Sequence, residues 1–169
     1  MSNKINYYLK FFIGGLISGI SFYSVIFLPL IFLGHYFLIK GLLKKNILIL
    51  NFFAGWLFGL GFFLTSMHWI INPFLIYEKH LLLAPLIFII FPSFMGLFFT
   101  LPCILITKFV SLEKINEKFY FQAFLITFFL FISELFRSKL FGGLPFNLYA
   151  HLWIFNEYFI KIVSFIGVF

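Results

Sequence analysis

Charged residues are scarce in this sequence, and aspartate is missing altogether. Only 10% of the 169 residues are charged, whereas 63% are hydrophobic and the mean hydropathy is +1.12. Soluble domains are roughly half apolar and a quarter charged, and a folded chain of this size still exposes about a third of its unfolded surface. Because so many apolar side chains cannot all be buried, we exclude a water-soluble fold and expect many of them to face lipid.

Cysteine is also scarce, since Cys103 is the only one and lies within an apolar stretch. A single cysteine excludes an intrachain disulfide and a thiolate metal cluster. A thiol in an apolar helix stays protonated, so we do not expect Cys103 to act as a nucleophile. We expect no cofactor. We also expect no metal site, because the spacing of His68, His80 and His151 matches no zinc signature.

No basic run accompanies the net charge of +7, and we therefore expect no nucleic-acid partner. Lysines occur singly or in pairs between apolar stretches, which is typical of anchors in cytoplasmic loops. This rule predicts eight basic residues inside and four outside. The first group is Lys4, Lys10, Lys40, Lys44, Lys45, Lys108, Lys114 and Lys118, and the second is Lys79, Arg137, Lys139 and Lys161.

Long apolar segments predict an all-α, polytopic transmembrane helix bundle with about five to six membrane segments. We expect them at about 7–23, 25–40, 47–71, 81–107, 119–138 and 158–169, with no soluble domain in residues 1–169. The first two should form a helical hairpin that turns near Ser24 to Pro29, because lysines flank both ends of this apolar run. The last segment is half a membrane long and lacks a polar cap, so we expect it to be truncated.

Small residues recur four positions apart in two of these segments. Gly15 and Gly19 lie in the first, and Gly55 and Gly59 lie in the third. In membranes this spacing places small residues on one helix face, where a neighbouring backbone can approach closely. No glycine follows a predicted strand, which excludes a phosphate-binding loop. We therefore expect these four glycines to serve helix packing.

Two opposite charges lie three residues apart near the end of the fifth segment. Glu134 and Arg137 are neighbours on one helical face and can neutralise each other, whereas isolated charges near lipid would each cost several kcal/mol. One interpretation is a structural ion pair that fixes the outer end of the helix. The alternative is a role in ordering a lipid headgroup or a partner domain.

The residues from Leu144 to His151 follow a pair of glycines and alternate aromatic with polar side chains. This alternation is typical of an outer re-entrant or interfacial loop. Such a loop can line an entry path for a lipid tail, or it can be an ordinary aromatic anchor.

Two stretches, in this order and at this spacing, resemble the membrane domain of the apolipoprotein N-acyltransferases. The first is GWLFGLGFFLTSMHW, which runs from Gly55 to Trp69. The second is Ser133-Glu-Leu-Phe-Arg137, followed by Gly143-Leu-Pro-Phe-Asn-Leu-Tyr149. The resemblance extends over nearly the whole chain.

The resemblance implies a bundle of eight helices that carries a periplasmic nitrilase-like domain. Members of that family move an acyl chain from a phospholipid to the N-terminal diacylglyceryl-cysteine of a bacterial lipoprotein, using Glu, Lys and Cys of the nitrilase-like domain. Those three residues cannot be placed in this sequence, so we assign no catalytic residue. The matching positions are expected to support that domain or to guide lipid toward it, and they are Trp69, Glu134, Arg137, Pro145, Phe146 and Tyr149.

We therefore expect the N-terminal membrane part of such an enzyme, incomplete for catalysis by itself and located in the bacterial inner membrane with its N-terminus in the cytoplasm. Phospholipid and lipoprotein would be the substrates of the whole enzyme. One alternative is a small helical transporter or channel component, which intramembrane glycine and proline also suit. Another is a membrane scaffold that binds a partner protein.

Overall fold

A computed structural model of the chain describes residues 2–44, 47–110, 119–140 and 146–166. These residues form α-helices and short 3-10 turns, without a strand among them. The helices are α1 (Ser2–Ile20), α2 (Pro29–Lys44), α3 (Leu48–Ser66), α4 (Asn72–Leu75), α5 (Ala84–Val110), α6 (Phe119–Lys139) and α7 (Glu157–Ile166). The prediction of an all-α bundle is confirmed.

Four stretches are long and apolar enough to cross a membrane. They are Val25–Leu43, Leu48–Ser66, Glu78–Phe109 and Tyr120–Lys139, and the shorter apolar helix Ile5–Ile20 precedes them. A polar backbone cannot be left without hydrogen-bond partners in hydrocarbon, so apolar runs of this length adopt helices, which satisfy their own amides and carbonyls.

The first two helices form the predicted hairpin. Helix α1 ends at Ile20, and the Ser24 side chain accepts a hydrogen bond from the backbone N–H of Ile26 at 3.4 Å. Helix α2 then begins at Pro29, where the fixed φ of proline suits the first helical position. The turn therefore lies where the sequence predicted it.

Helix α3 ends at Ser66, five residues before the end of the predicted third segment. Met67 leaves the helical conformation with a φ of −116°, and the chain continues as the 3-10 turn His68–Ile71 and then as α4. Apolar side chains continue through this region, so the hydropathy pattern carried no signal for the end of the helix.

Helix α3 is the centre of the bundle, with α1 packed on one side and α5 on the other. Helix α2 packs mainly against α1 and also contacts α3 and α5, and α6 packs against α5. Much of the core lies where α3 meets α5, with residues of α1, α2 and α6 around it, and phenylalanine rings pack at its centre. The ring of Phe99 lies 5.2 Å from that of Phe58 and 5.3 Å from that of Phe62, measured between centroids.

Hydrogen bonds between helices define the two ends of the bundle. At one end Asn51 donates to Thr107 at 2.8 Å, and Tyr7 donates to Asn51 at 3.3 Å. At the other end Tyr23 donates to the carbonyl of Thr65 at 3.0 Å. We call the first the lysine end, since α2 finishes there at Lys44, and the second the loop end.

Glycines allow the central helices to approach closely. A Cβ on Gly15 of α1 would lie 2.0 Å from the carbonyl oxygen of Phe58, and one on Gly59 of α3 would lie 2.6 Å from the Cα of Gly96 on α5. Gly19 and Gly55 also face neighbouring helices. A Cβ on Gly19 would lie 1.8 Å from the hydroxyl oxygen of Thr65, and one on Gly55 would lie 2.7 Å from the carbonyl oxygen of Phe99. The packing role of the four glycines stays a prediction, and the following substitution tests it.

We expect Gly15→Ala to destabilise the bundle by about 1–3 kcal/mol, because the new methyl group would collide with backbone that cannot rotate away. Gly14→Ala is the milder comparison, since a Cβ there lies 3.3 Å from the carbonyl oxygen of Gly34, a tight contact that needs a shift of only a few tenths of an ångström, and the gain in helix propensity is the same. Unfolding in detergent micelles measures both variants. Equal stabilities of the two variants would contradict the packing role.

Candidate functional site

The Glu134 and Arg137 pair is buried near the loop end of α6. Their side chains are only 11% and 5% exposed, and Arg137 Nη2 lies 3.8 Å from Glu134 Oε1. The guanidinium of Arg137, the single arginine of the chain, lies 5.3 Å from the ring centroid of Phe63 on α3. A cation over an aromatic face is attracted by the ring quadrupole, so α3 also helps to stabilise this charge.

This ion pair also holds the backbone of the segment 146–156. Arg137 Nη1 donates a hydrogen bond to the carbonyl of Phe146, and Glu134 Oε1 accepts one from the backbone N–H of Tyr149 at 2.7 Å. A buried ion pair offsets its desolvation only when further hydrogen bonds satisfy its remaining donors and acceptors. The segment supplies them, and the pair in turn fixes the path of the segment.

Asn147 connects the same segment to α3. Its Nδ2 donates to the carbonyl of Ser66 at 2.7 Å, and its φ of 51° is left-handed. Asparagine adopts this conformation more readily than most residues with a side chain. The loop-end segment is therefore attached to both α6 and α3.

His35 of α2 completes the site, although the sequence analysis did not select it. Its Nε2 lies 2.8 Å from the hydroxyl of Tyr149, and its Nδ1 lies 2.8 Å from the carbonyl of Ile31. Because a carbonyl only accepts, Nδ1 carries the proton and Nε2 accepts from Tyr149. An ionisable side chain inside an apolar segment is a functional candidate by default, and that signal would have identified His35.

The titratable side chains of the loop-end segment are held neutral. Burial first, and then the nearby Glu134, raises the pKa of Tyr149 well above its usual value of 10. Burial first, and then the nearby Arg137, lowers the pKa of His151. Tyr149 therefore keeps the proton that it donates to His35.

A cavity of about 510 Å³ lies between α2, α6 and the 3-10 turn Tyr149–Trp153. Aliphatic and aromatic side chains form most of its wall, and His35, Glu134 and Tyr149 lie among them. We call this cavity the α2–α6 groove. The polar site and the groove therefore share one wall.

The remaining sites predicted from the sequence lie apart from this wall. Trp69 packs edge-on against Phe146 at the loop end, with 5.8 Å between ring centroids. His68 stacks on Tyr23 at 4.8 Å, and within the described ranges no group of three His, Cys, Asp or Glu side chains is close enough to hold a metal. Pro145 lies outside the described residues.

Comparison with known sequences identifies one family. The sequence model of a family described as the N-terminal domain of apolipoprotein N-acyltransferase matches residues 14–169. The apolipoprotein N-acyltransferase of Rickettsia prowazekii (strain Madrid E) is 30% identical to this chain over 156 residues. That of Rickettsia typhi (strain Wilmington) is 30% identical over 159 residues.

The match covers most of this chain but only part of those relatives. For the Rickettsia prowazekii protein the match includes 92% of this chain and 30% of the relative. For the Rickettsia typhi protein it includes 94% of this chain and 30% of the relative. The chain thus spans about 30% of the length of these relatives. No solved structure matches the chain at a significant level.

We expect Glu134→Leu to destabilise the protein by about 3–5 kcal/mol, because it leaves the Arg137 charge buried without its partner. The double variant Glu134→Leu/Arg137→Met should cost clearly less, since it buries no isolated charge. Unfolding in detergent and the rate of proteolysis within residues 146–156 measure both effects.

Glu157→Leu serves as the control for loss of a carboxylate, because Glu157 is exposed on α7 and surface substitutions change stability by about 0.5 kcal/mol or less. If Glu134→Leu is no more harmful than this control, the ion pair does not organise the loop end.

Proposed function

The chain belongs to the apolipoprotein N-acyltransferase family, and on that premise we propose that it is the membrane part of an enzyme that acylates bacterial lipoproteins. The acyl chain would pass from a phospholipid to the N-terminal diacylglyceryl-cysteine of the lipoprotein. The match of residues 14–169 to the N-terminal domain of the family supports this proposal most directly. The apolar helices support it, because both proposed substrates are anchored in the bilayer.

Within such an enzyme the loop end would support and orient the catalytic domain. The Glu134 and Arg137 pair fixes the carbonyl of Phe146, and the ring of Phe146 remains 39% exposed beside Trp69. Aromatic rings are favoured at the boundary between hydrocarbon and headgroups. A rigidly held aromatic surface at this depth suits contact with a domain that works at the membrane surface, and Pro145 and Tyr149 would belong to the same support.

The reacting groups of this enzyme would lie outside the matched domain. Cys103 is 1% exposed and lies within α5, seven residues before its end, where neither a lipid ester nor a lipoprotein could reach its thiol. We therefore assign the chain the roles of binding and orientation, without a catalytic residue.

We further propose that the protein lies in the inner membrane with the lysine end in the cytoplasm and the loop end on the outer side. The excess of lysines on one set of connections supports this orientation. It places the loop-end segment on the side where the family resemblance places the nitrilase-like domain.

A chimera tests the activity. This chain would replace the matching N-terminal part of the Rickettsia prowazekii relative, and lipoprotein N-acylation would be followed in cells depleted of their own enzyme. We expect acylation by the chimera and none by the 169-residue chain alone. Acylation by the chain alone, or a thioester on Cys103, would contradict the proposal, as would an inactive chimera that reaches the membrane in normal amount.

Reporter fusions test the orientation. A phosphatase that is active only outside the cytoplasm should be inactive after Lys45 and active after Tyr77, because these sites flank opposite ends of α3. A cytoplasmic reporter should give the reverse pattern at both sites. Phosphatase activity after Lys45 would show that the proposed orientation is inverted.

A further inference from the structure

We propose that the α2–α6 groove binds one acyl chain of a membrane phospholipid, which enters sideways from the bilayer between α2 and α6. The groove separates the two outer helices of the bundle, and its volume of about 510 Å³ is ample for one flexible hydrocarbon chain. Sites for small ligands have volumes of about 300–1,000 Å³.

The length of the groove fits one leaflet of the membrane. Its wall runs from Leu28, the residue before α2 begins, to Ile39 on α2. Those eleven steps cover about 16 Å along the helix axis. One leaflet contributes about 15 Å of hydrocarbon. An acyl chain lying along α2 would therefore find apolar wall over its whole depth in the leaflet.

The polar side chains of the groove have hydrogen-bond partners within the protein. Tyr149 donates to His35, and Glu134 accepts from the backbone of Tyr149. Thr127 donates to the carbonyl of Ala123, and Tyr36 accepts from Lys40. A ligand in this groove need not supply hydrogen bonds, so an apolar chain can bind without leaving a buried polar group unpaired.

The residues of the wall argue against a packed helix as the occupant. Helices in membranes approach one another at small residues, and in this protein glycines lie at the contacts of α1 with α3 and of α3 with α5. No glycine, alanine or serine lies among the described residues that line the groove. A helix is also about 10–12 Å wide with its side chains. A thin and flexible occupant fits better.

The rim of the groove is open to the surrounding lipid. Phe32 and Tyr36 on α2 are 64% and 50% exposed, and Phe131 on α6 is 41% exposed. All three lie in stretches long and apolar enough to cross a membrane, so the open side of the groove lies at the depth of the hydrocarbon. A phospholipid can then insert a tail while its headgroup stays at the membrane surface.

That the bound phospholipid is the acyl donor rests on the proposed function. Binding of the tail is a property of the groove, and it can be measured without turnover.

Lipid retention provides the first measurement. The chain would be purified in mild detergent with palmitoyl-oleoyl phosphatidylethanolamine, and native mass spectrometry would count the lipids that remain bound. We expect a single retained lipid. Thr127→Phe, which fills the groove from α6, should lower its retention about tenfold or more. Ile89→Phe is the control, since Ile89 is an exposed position on α5 outside the groove.

Fluorescence provides the second measurement. Trp153 lines the groove, so a Trp56→Phe/Trp69→Phe background leaves one reporter at the site. Phospholipid with brominated acyl chains should quench Trp153, and Thr127→Phe should reduce that quenching whereas Ile89→Phe should not. If Thr127→Phe does not fold, Ile39→Phe fills the groove from the opposite wall and takes its place.

Three results would overturn the inference. The first is that no lipid is retained, and the second is that Thr127→Phe and Ile89→Phe retain lipid equally. The third is loss of Trp153 quenching in the chimera with the Rickettsia relative, because a protein segment would then occupy the groove. Retained lipid with an inactive chimera would instead contradict the proposed function and leave the lipid site standing.

Discussion

A buried charge in a membrane must find its partners inside the protein, and the loop end of this bundle depends on how Glu134 and Arg137 meet that constraint. The bilayer core offers no water, so each charge left unpaired there costs several kcal/mol. The two side chains use each other, the ring of Phe63 and the backbone of the loop-end segment. The conformation of a segment nine to fifteen residues downstream is thus set by the need to neutralise two charges on α6.

Helix contacts in this bundle are of two kinds, and the difference organises its shape. Where α1, α3 and α5 meet, glycines bring the backbones together, and contact area rather than the hydrophobic effect holds them, since lipid is as apolar as the side chains. Where α2 and α6 face each other, large side chains and the Tyr149–Trp153 turn keep the helices apart. The closely packed helices α1, α3 and α5 therefore form the rigid support on which α2 and α6 border the groove.

The sequence was sufficient for features that depend on local pattern. Hydropathy and lysine placement predicted an all-α bundle and the hairpin turn at Ser24 to Pro29, and two motifs identified the family. His35 itself was identifiable as an ionisable side chain within an apolar segment. Its pairing with Tyr149 was hidden, because the two residues lie 114 apart in the sequence and no periodicity connects them. The groove was missed for the same reason, since its walls come from helices that are distant in sequence. The roles of Trp69, Glu134, Arg137, Pro145, Phe146 and Tyr149 stay predictions.

The long separation of His35 and Tyr149 has a consequence for biogenesis. A ribosome delivers α2 to the membrane well before residue 149 has been synthesised, so His35 must first exist in the bilayer without the tyrosine. During that interval Nδ1 already has the carbonyl of Ile31 one turn earlier at 2.8 Å, and the hydroxyl of Ser18 in the hairpin partner lies 3.3 Å from the same nitrogen. Early assembly of α1 with α2 thus satisfies one ring nitrogen of His35, and Nε2 gains its partner only when the last part of the bundle arrives.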